Sequence, residues 1–575
     1  MTLTKKAFFM VAALYWLLGM HLFMHNPGGD GFYLPFNMVG WAFASILIGI
    51  GLWHVTVTQR LVFSRAQLWL WGGLVVACLP FLAHPEVSID AGVPRMLGIA
   101  GGFLLLFSLS QLQLSRQHRY LLLYLLLAGV AIEALFGLVQ YFLLPPDNWF
   151  GYNTQINRPF GIFQQVNVFA SFLGFGVGLA AFLAWRDPAL SSRNWRGWLV
   201  YGVLFTGILL ELIIRSRAGM IGCFMVLAVL LPLIWKQRRE LFAAVLLAVI
   251  AGVLAELVVI YFVGGGRSIE EMVRPQLRLI YWAHSLDMLA RAPWFGVGYG
   301  NFEAGFVNDY YAIPQVISGV PIIEQNLSHP HNEILYWLVE GGLVGFAGLV
   351  LMVIGWWCML RRHPLSLRLA LFILPFPFLF HAMVEYPFYH STTHWLALIW
   401  LLWLTDADAE AQTVIPLQNW LLLRALAVMI PLLTVPYMLS GLHTAYLVTQ
   451  FEAGGSKDPS LLNRVVNPLP WFTRFMYDIS AVHLLNGMAT KDGALQRAEL
   501  STYIAWASEF VKLSPRANVY FNGAAALDKL GQHMQAEQWR QTGARLFPSD
   551  PLFKRVPSDA NPTTSAAASV SSAHQ

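Results

Sequence analysis

Two histidines, four arginines and a pair of side-chain amides carry the chemistry this chain can offer. His329 and His331 lie in the stretch LSHPHNE, with Asn332 directly after the second. Imidazole has an ordinary pKa near 6.5, and a positioned base of that strength contributes about 10²–10⁴ in rate. Residues at i and i+2 do not share a helix face, so the two histidines form no helical ligand pair. A zinc site would need His381, His390 or His394 from another edge of the protein, which specifies a metal poorly. A general base is the better reading, with Asn332 also suited to cap a helix. Arg215 and Arg217 sit in a tight turn, IIRSRAGM, and Arg274 and Arg278 are four apart in VRPQLRLIYWAHS, which places them on one helix face with Trp282. Guanidinium forks match phosphate oxygens. In RPFGIFQQVNVFASF, Gln165 and Asn167 stand beside Arg158 and Gln164 at the mouth of an apolar run. Such amides hydrogen-bond sugar hydroxyls or phosphate, or else cap the helix they open.

The composition decides where such groups must work. Of 575 residues, 57% are hydrophobic and 12% charged, against about 25% charged in soluble domains. That excludes a soluble enzyme, a nucleic-acid-binding protein and a disordered scaffold, and it implies a polytopic helical protein whose partners include membrane lipids. Cys78, Cys223 and Cys358 each fall inside an apolar run, which argues against disulfides and thiolate metal sites. Lys5 and Lys6 precede the first apolar run, and no small-residue cleavage site follows it, so this run reads as a retained span.

Runs long enough to span a bilayer number about thirteen. They lie near 7–25, 37–58, 67–83, 94–113, 120–144, 161–185, 197–214, 217–235, 240–263, 333–360, 368–385, 391–405 and 420–449, the run at 391–405 being short. Basic residues recur at every second connection: Lys5/Lys6, Arg60/Arg65, Arg116/Arg119, Arg186/Arg193/Arg196, Lys236/Arg238/Arg239 and Arg361/Arg362/Arg368. The positive-inside rule then puts the N-terminus in the cytoplasm, and the 264–332 loop and C-terminal tail on the periplasmic face of a bacterial inner membrane. The expected divisions are nine spans in 1–263, a catalytic loop at 264–332, spans ten to thirteen in 333–449, a helical domain at 450–560 and a disordered Ser/Thr/Ala-rich end at 561–575. Within the spans, Glu133, Glu211 and Glu256 suggest function by default, but they form no relay across the membrane and no inverted repeat accompanies them, which argues against a transporter. Gly341 and Gly345 read as a small-residue pair for close helix packing. PWFGVGYGNF is a glycine-rich turn without a complete nucleotide motif.

The tail contains an echo at a 33-residue offset: WASEFVKLSP ends at Pro515 and WRQTGARLFP at Pro548, aligning Trp506 with Trp539 and Leu513 with Leu546. The spacing is like that of a tetratricopeptide repeat. A surface for a protein partner and an ordinary helical hairpin stand evenly as readings of it.

The His331-Asn332 pair, followed after nine residues by Gly342-Leu-Val-Gly345, resembles the periplasmic motif of the O-antigen ligase superfamily. The Arg278…Trp282 segment with PWFGVGYGNF is similar to the block preceding that motif, and SRAG with Arg217 to the membrane-edge arginine motif. GIFQQVNVFASFL and the long tail resemble the PglL-like protein O-oligosaccharyltransferases. The resemblance implies an all-α membrane glycosyltransferase that works without metal or other cofactor. Its donor is an oligosaccharide on undecaprenyl diphosphate, and its acceptor is a Ser or Thr hydroxyl of a pilin or similar protein. It assigns His331 as base, Arg217 and Arg278 to the diphosphate with Arg215 and Arg274 beside them, and Asn332, Gln165 and Asn167 to orientation. His329 is a second candidate base. The alternatives are an O-antigen ligase or polymerase with a saccharide acceptor and, outside enzymes, a lipid-linked-sugar transporter.

Overall fold

Backbone N–H and C=O groups find no water inside a bilayer, so long apolar runs fold as helices that satisfy them internally. The computed structural model describes every residue except 85–88, 264–277, 313–326, 408–411, 417–419, 549 and 554–575. Arg274 and the 561–575 end therefore lie outside the described residues. Among the described residues, eleven helices are long and apolar enough to cross a membrane: Leu3–His21, Pro35–Thr58, Arg65–Ala83, Gly92–Gln111, Arg116–Phe142, Val166–Arg186, Trp195–Ile214, Arg217–Gln237, Arg239–Phe262, Glu333–Leu360 and Leu421–Ala453. A twelfth crossing is made if Leu365–Ile373 and Phe376–Ala382, bent by 46°, act as one span.

The short run expected at 391–405 folds as Thr392–Ala407, 16 residues long and below the length of an ordinary span. Its two ends show how far it reaches. Thr392 N–H donates to Asn37 Oδ1 at the start of Pro35–Thr58 (2.7 Å). Beyond its other end, Gln412–Pro416 pairs antiparallel with Arg60–Ser64, just past the far end of that same helix. The short helix thus starts level with one end of its 24-residue neighbour, and the strand that follows it pairs beyond the other end. At that end Arg362 reaches Asp406 (3.3 Å) and His363 Nε2 bonds Thr405 O (2.7 Å). Residues 60–65, 361–363, 405–407 and 412–416 therefore meet at one end.

The chain divides into two units. The first comprises Met1–Val75, Leu97–Gln276 and Gly348–Leu442. Its central helix, Val166–Arg186, is buried along most of its length, and glycines let its neighbours approach: a Cβ at Gly176 would lie 2.3 Å from Val130. The second comprises Val76–Met96, Leu277–Ala347 and His443–Gln575. Its tail folds as four helices, Phe472–Ala489, Gly493–Leu513, Ala517–Lys529 and His533–Leu546. The echo in the sequence has a structural counterpart: Trp506 and Trp539 occupy the second helix of successive hairpins, packing on Tyr477 and Tyr520 respectively.

Candidate active site

In the second unit, the site is built from a helix, a turn and a broken span. Arg278–Arg291 begins with Arg278 and presents Tyr281 and Trp282 one turn later. Trp282 Nε1 donates to Pro330 O at 2.9 Å, fixing the peptide that leads into His331. The Tyr281 ring stacks on the His331 imidazole, with centroids 6.0 Å apart and planes 24° apart. His331 itself has φ +51°, a left-handed conformation costing a non-glycine residue about 1–2 kcal/mol. His329 meets it edge-on at 4.4 Å, and Ser328 Oγ lies 3.2 Å from His329 Nδ1. Asn332 Oδ1 accepts from Leu335 N at 3.0 Å, so the expected cap is made. His331, His329, Asn332 and the helix of Arg278 are thus brought together.

The helix Glu333–Leu360 is interrupted at Gly342, where φ is +62° and ψ −166°. The glycine-rich turn fills the break. Leu343 N and Val344 N donate to Pro293 O and Trp294 O, while Val297 N and Gly298 N donate to Val339 O and Glu340 O, all at 2.8–3.0 Å. The Glu340 carboxylate accepts from Gly300 N (2.9 Å) and Phe302 N (3.2 Å). These N–H groups are spent on the span, so PWFGVGYGNF is a structural plug and not a phosphate cradle. Gly341 and Gly345 also do something other than expected: a Cβ on either would lie 2.6 Å from Tyr299 Oη. They make room for a tyrosine of the turn, whose hydroxyl donates to Ala77 O at 2.7 Å.

Sequence reasoning missed the pair that anchors this plug. Arg95 Nη1 lies 2.6 Å from Glu340 Oε2, with side-chain exposures of 4% and 0%. The guanidinium also lies against the rings of Tyr336, Tyr299 and Trp337 (4.5–5.5 Å). The signal was present: Arg95 is an arginine at an edge otherwise poor in basic residues, and Glu340 is an acid inside a span. Nearby, His284 packs edge-on against Phe306 at 4.7 Å, and burial pushes its pKa down.

Helix Phe302–Ala312 joins this region to the tail. Phe306 lies against Tyr281 and His284. Val307 enters a core with Ala517, Tyr520, Leu546 and Phe547, and Glu303 pairs with Arg516 and accepts from Ser514.

In the first unit the arginine turn and the amides come together. Gln165 Oε1 caps helix Val166–Arg186 by accepting from Val168 N (2.7 Å). Ser216 Oγ donates to Asn167 Oδ1 (2.9 Å) and caps helix Arg217–Gln237, while Arg158 Nε donates to Ile214 O (3.0 Å). The Gln165 amide oxygen is thus used in capping its own helix and that of Asn167 in holding the turn, with Arg217 the first residue of its helix. Arg215 closes helix Trp195–Ile214 in the left-handed region, and its Nη2 lies 3.6 Å from Glu256 Oε1.

The other intramembrane acids also have structural work. Glu133 accepts from Ile162 N and bonds His21 Nδ1 (2.9 and 2.6 Å). Glu211 fills space left by Gly219, where a Cβ would lie 2.4 Å from its Oε2. Two of the histidines weighed as metal partners belong to a buried chain that sequence reasoning did not find. Ser171 Oγ bonds His381 Nδ1 (2.8 Å) and His394 Nε2 (3.1 Å), and His394 Nδ1 bonds Ser391 Oγ (2.9 Å).

A broken span plugged by its own loop, a histidine held beside it and many long apolar helices are the features of a polytopic all-α membrane protein. Comparison with protein families makes the class specific. Residues 202–350 match the O-antigen ligase model, 159–184 the protein glycosylation ligase model, and 369–559 the C-terminal model of virulence factor membrane-bound polymerases. Over these stretches the chain is similar to O-antigen ligases, protein glycosylation ligases and membrane-bound polymerases. No curated protein matches it.

Proposed function

We propose that the protein transfers an oligosaccharide en bloc from undecaprenyl diphosphate to Ser or Thr hydroxyls of exported proteins such as pilins, at the periplasmic face of the bacterial inner membrane. The hydroxyl oxygen attacks the anomeric carbon as the bond to the diphosphate oxygen breaks. His331 takes the hydroxyl proton, and undecaprenyl diphosphate leaves with the bonding electron pair. Arg278 and Arg217 stabilise the charge that develops on that leaving group, with Arg274 assisting and Arg215 shaping the turn. Asn332, Gln165 and Asn167 hold the backbone that presents these groups, and His329 flanks the base. The N-terminus is cytoplasmic, and the tail stands on the acceptor side.

The observation that carries this reading is the fixing of His331. One hydrogen bond from Trp282 and one ring stack from Tyr281 hold an imidazole in a costly backbone conformation, and such strain persists where the surroundings over-determine it. The match over 159–184 favours a protein acceptor. The longer matches to O-antigen ligase and polymerase models support the second reading, a saccharide acceptor. The test is purified protein in vesicles with an undecaprenyl-diphosphate-linked oligosaccharide, offered a Ser/Thr peptide and a lipopolysaccharide core side by side. Mass spectrometry should find glycan on the peptide. Glycan on the core alone would favour the second reading, and no transfer to either would remove both.

A further inference from the structure

The last membrane helix, Leu421–Ala453, has 33 residues, about 50 Å of helix at ~1.5 Å per residue, against a hydrocarbon core of ~30 Å. Its first end carries an interfacial signature: the Arg424 guanidinium lies over the rings of Trp420 and Trp53, at 3.9 and 4.9 Å. Counting ~30 Å along the helix from Arg424 reaches Thr444. Beyond Thr444 the helix has no hydrocarbon left to cross, and near its end Glu452 forms a two-pronged pair with Arg474 (2.6 and 3.0 Å), as suits a water-facing stretch.

The chain then returns to the level of Thr444. Thr444 Oγ1 donates to Asn467 O at 2.6 Å, pinning the segment NPLPWF beside the helix at the second interface. That segment is rigid. Pro468 and Pro470 restrict it, Leu469 N bonds Asn467 Oδ1, Trp471 N bonds Pro468 O, and Trp471 is fully buried as an anchor. What it presents outward is apolar: Val466 is 78% exposed, Leu469 62% and Phe472 40%. The other large exposed apolar side chains of the four tail helices, Leu485, Leu495, Leu513 and Met534, are well separated in sequence.

We propose that Val466, Leu469 and Phe472 insert into the lipid at the membrane–water interface and fix the tail to the bilayer surface. The occupant is lipid because the segment is hydrogen-bonded to a membrane helix at the depth where its hydrocarbon-facing length runs out. Leu469 N, Trp471 N and the Asn467 and Pro468 carbonyls are satisfied within the protein, so insertion does not strand them. Apolar side chains on such an interfacial segment bind in proportion to the area they bury. This inference concerns where the tail sits, so it stands or falls apart from the transfer reaction.

The experiment uses the full chain in nanodiscs of phosphatidylethanolamine and phosphatidylglycerol, with Cys78, Cys223 and Cys358 replaced. Spin labels are placed singly at Val466→Cys, Leu469→Cys and Phe472→Cys, with Met534→Cys as a water-facing reference. Collision with oxygen should exceed collision with a water-soluble nickel chelate several-fold at the first three sites, and the order should reverse at 534. Nickel access at 469 equal to that at 534 would overturn the proposal. So would shielding from both reagents, which would mean that protein and not lipid covers the segment.

Discussion

The turn around Arg215 and the turn around His331 look alike in their backbone, since each holds a non-glycine residue at φ +51°. They differ in what that conformation achieves. At Arg215 it closes a helix: the Arg215 N–H bonds Glu211 O (3.1 Å), and the side chain turns to an acid. At His331 the residue closes nothing. The helix that follows is capped by Asn332, and the imidazole is held by contacts from a different helix. One outlier is part of a helix end, and the other presents a side chain. The lesson is that clustered polar residues at the end of a span become a candidate site only when their partners leave a functional atom in place.

The sharpest way to break this comparison is at the anchor of the His331 region. Arg95→Met or Glu340→Gln alone leaves a buried group without its counterpart, a loss of about 3–5 kcal/mol. Thermal unfolding of each single variant should show a large drop in Tm, and Arg95→Met with Glu340→Gln together should recover part of it. Equal additive losses would mean that the pair does not anchor the plug. Next in size is Gly342→Ala. Its backbone lies in a region nearly reserved for glycine, where other residues pay about 1–3 kcal/mol, and its Cβ would lie 2.4 Å from the Trp294 carbonyl. Gly202→Ala in the first unit has nothing within 4 Å and should be neutral or slightly stabilising by the same measurement. A tolerant Gly342 would argue that the break in the span is unimportant.

Smaller effects sharpen the other side. Arg215→Ala leaves the buried Glu256 carboxylate without the guanidinium 3.6 Å away, so its cost should fall mainly on Tm, whereas Arg217→Ala should raise donor KM strongly. A reversed order in vesicle assays would return the diphosphate to Arg215. Smallest is a pH effect at His284. Burial lowers its folded pKa below the unfolded value near 6.5. The stability it permits is therefore complete above 6.5 and is lost as pH falls toward the folded pKa, with a slope of at most about 1.4 kcal/mol per pH unit. His284→Phe should flatten this part of the Tm profile between pH 7 and 5, and an unchanged profile would place the titration elsewhere.

Much of this was legible in the sequence because bilayer physics is written in composition. Apolar length and the alternation of basic loops located the spans, and helix-cap residues such as Asn332 and Gln165 announced their helices. Thirteen runs were expected and eleven helices, or twelve with the bent pair, are long enough among the described residues; the run at 391–405 falls short because it folds as the 16-residue, mostly buried helix Thr392–Ala407. Gly341 and Gly345 were misread because a small-residue pair looks the same whether it admits a helix or a tyrosine. Arg95 and Glu340 each stood out alone, but their pairing did not, because they are 245 positions apart, as the numbering gives, and no local pattern joins them. The same is true of Trp282 and Pro330, where only folding makes an indole donor the support of the turn that carries His331.

The central claim is that His331, and not its neighbour, is the base. Purified His331→Ala and His329→Ala proteins should be compared with the unaltered chain for transfer from the lipid-linked donor, with Tm measured on each. The account predicts a fall of about 10²–10⁴ for His331→Ala at unchanged Tm, with most activity retained in His329→Ala. Full activity in His331→Ala would contradict it.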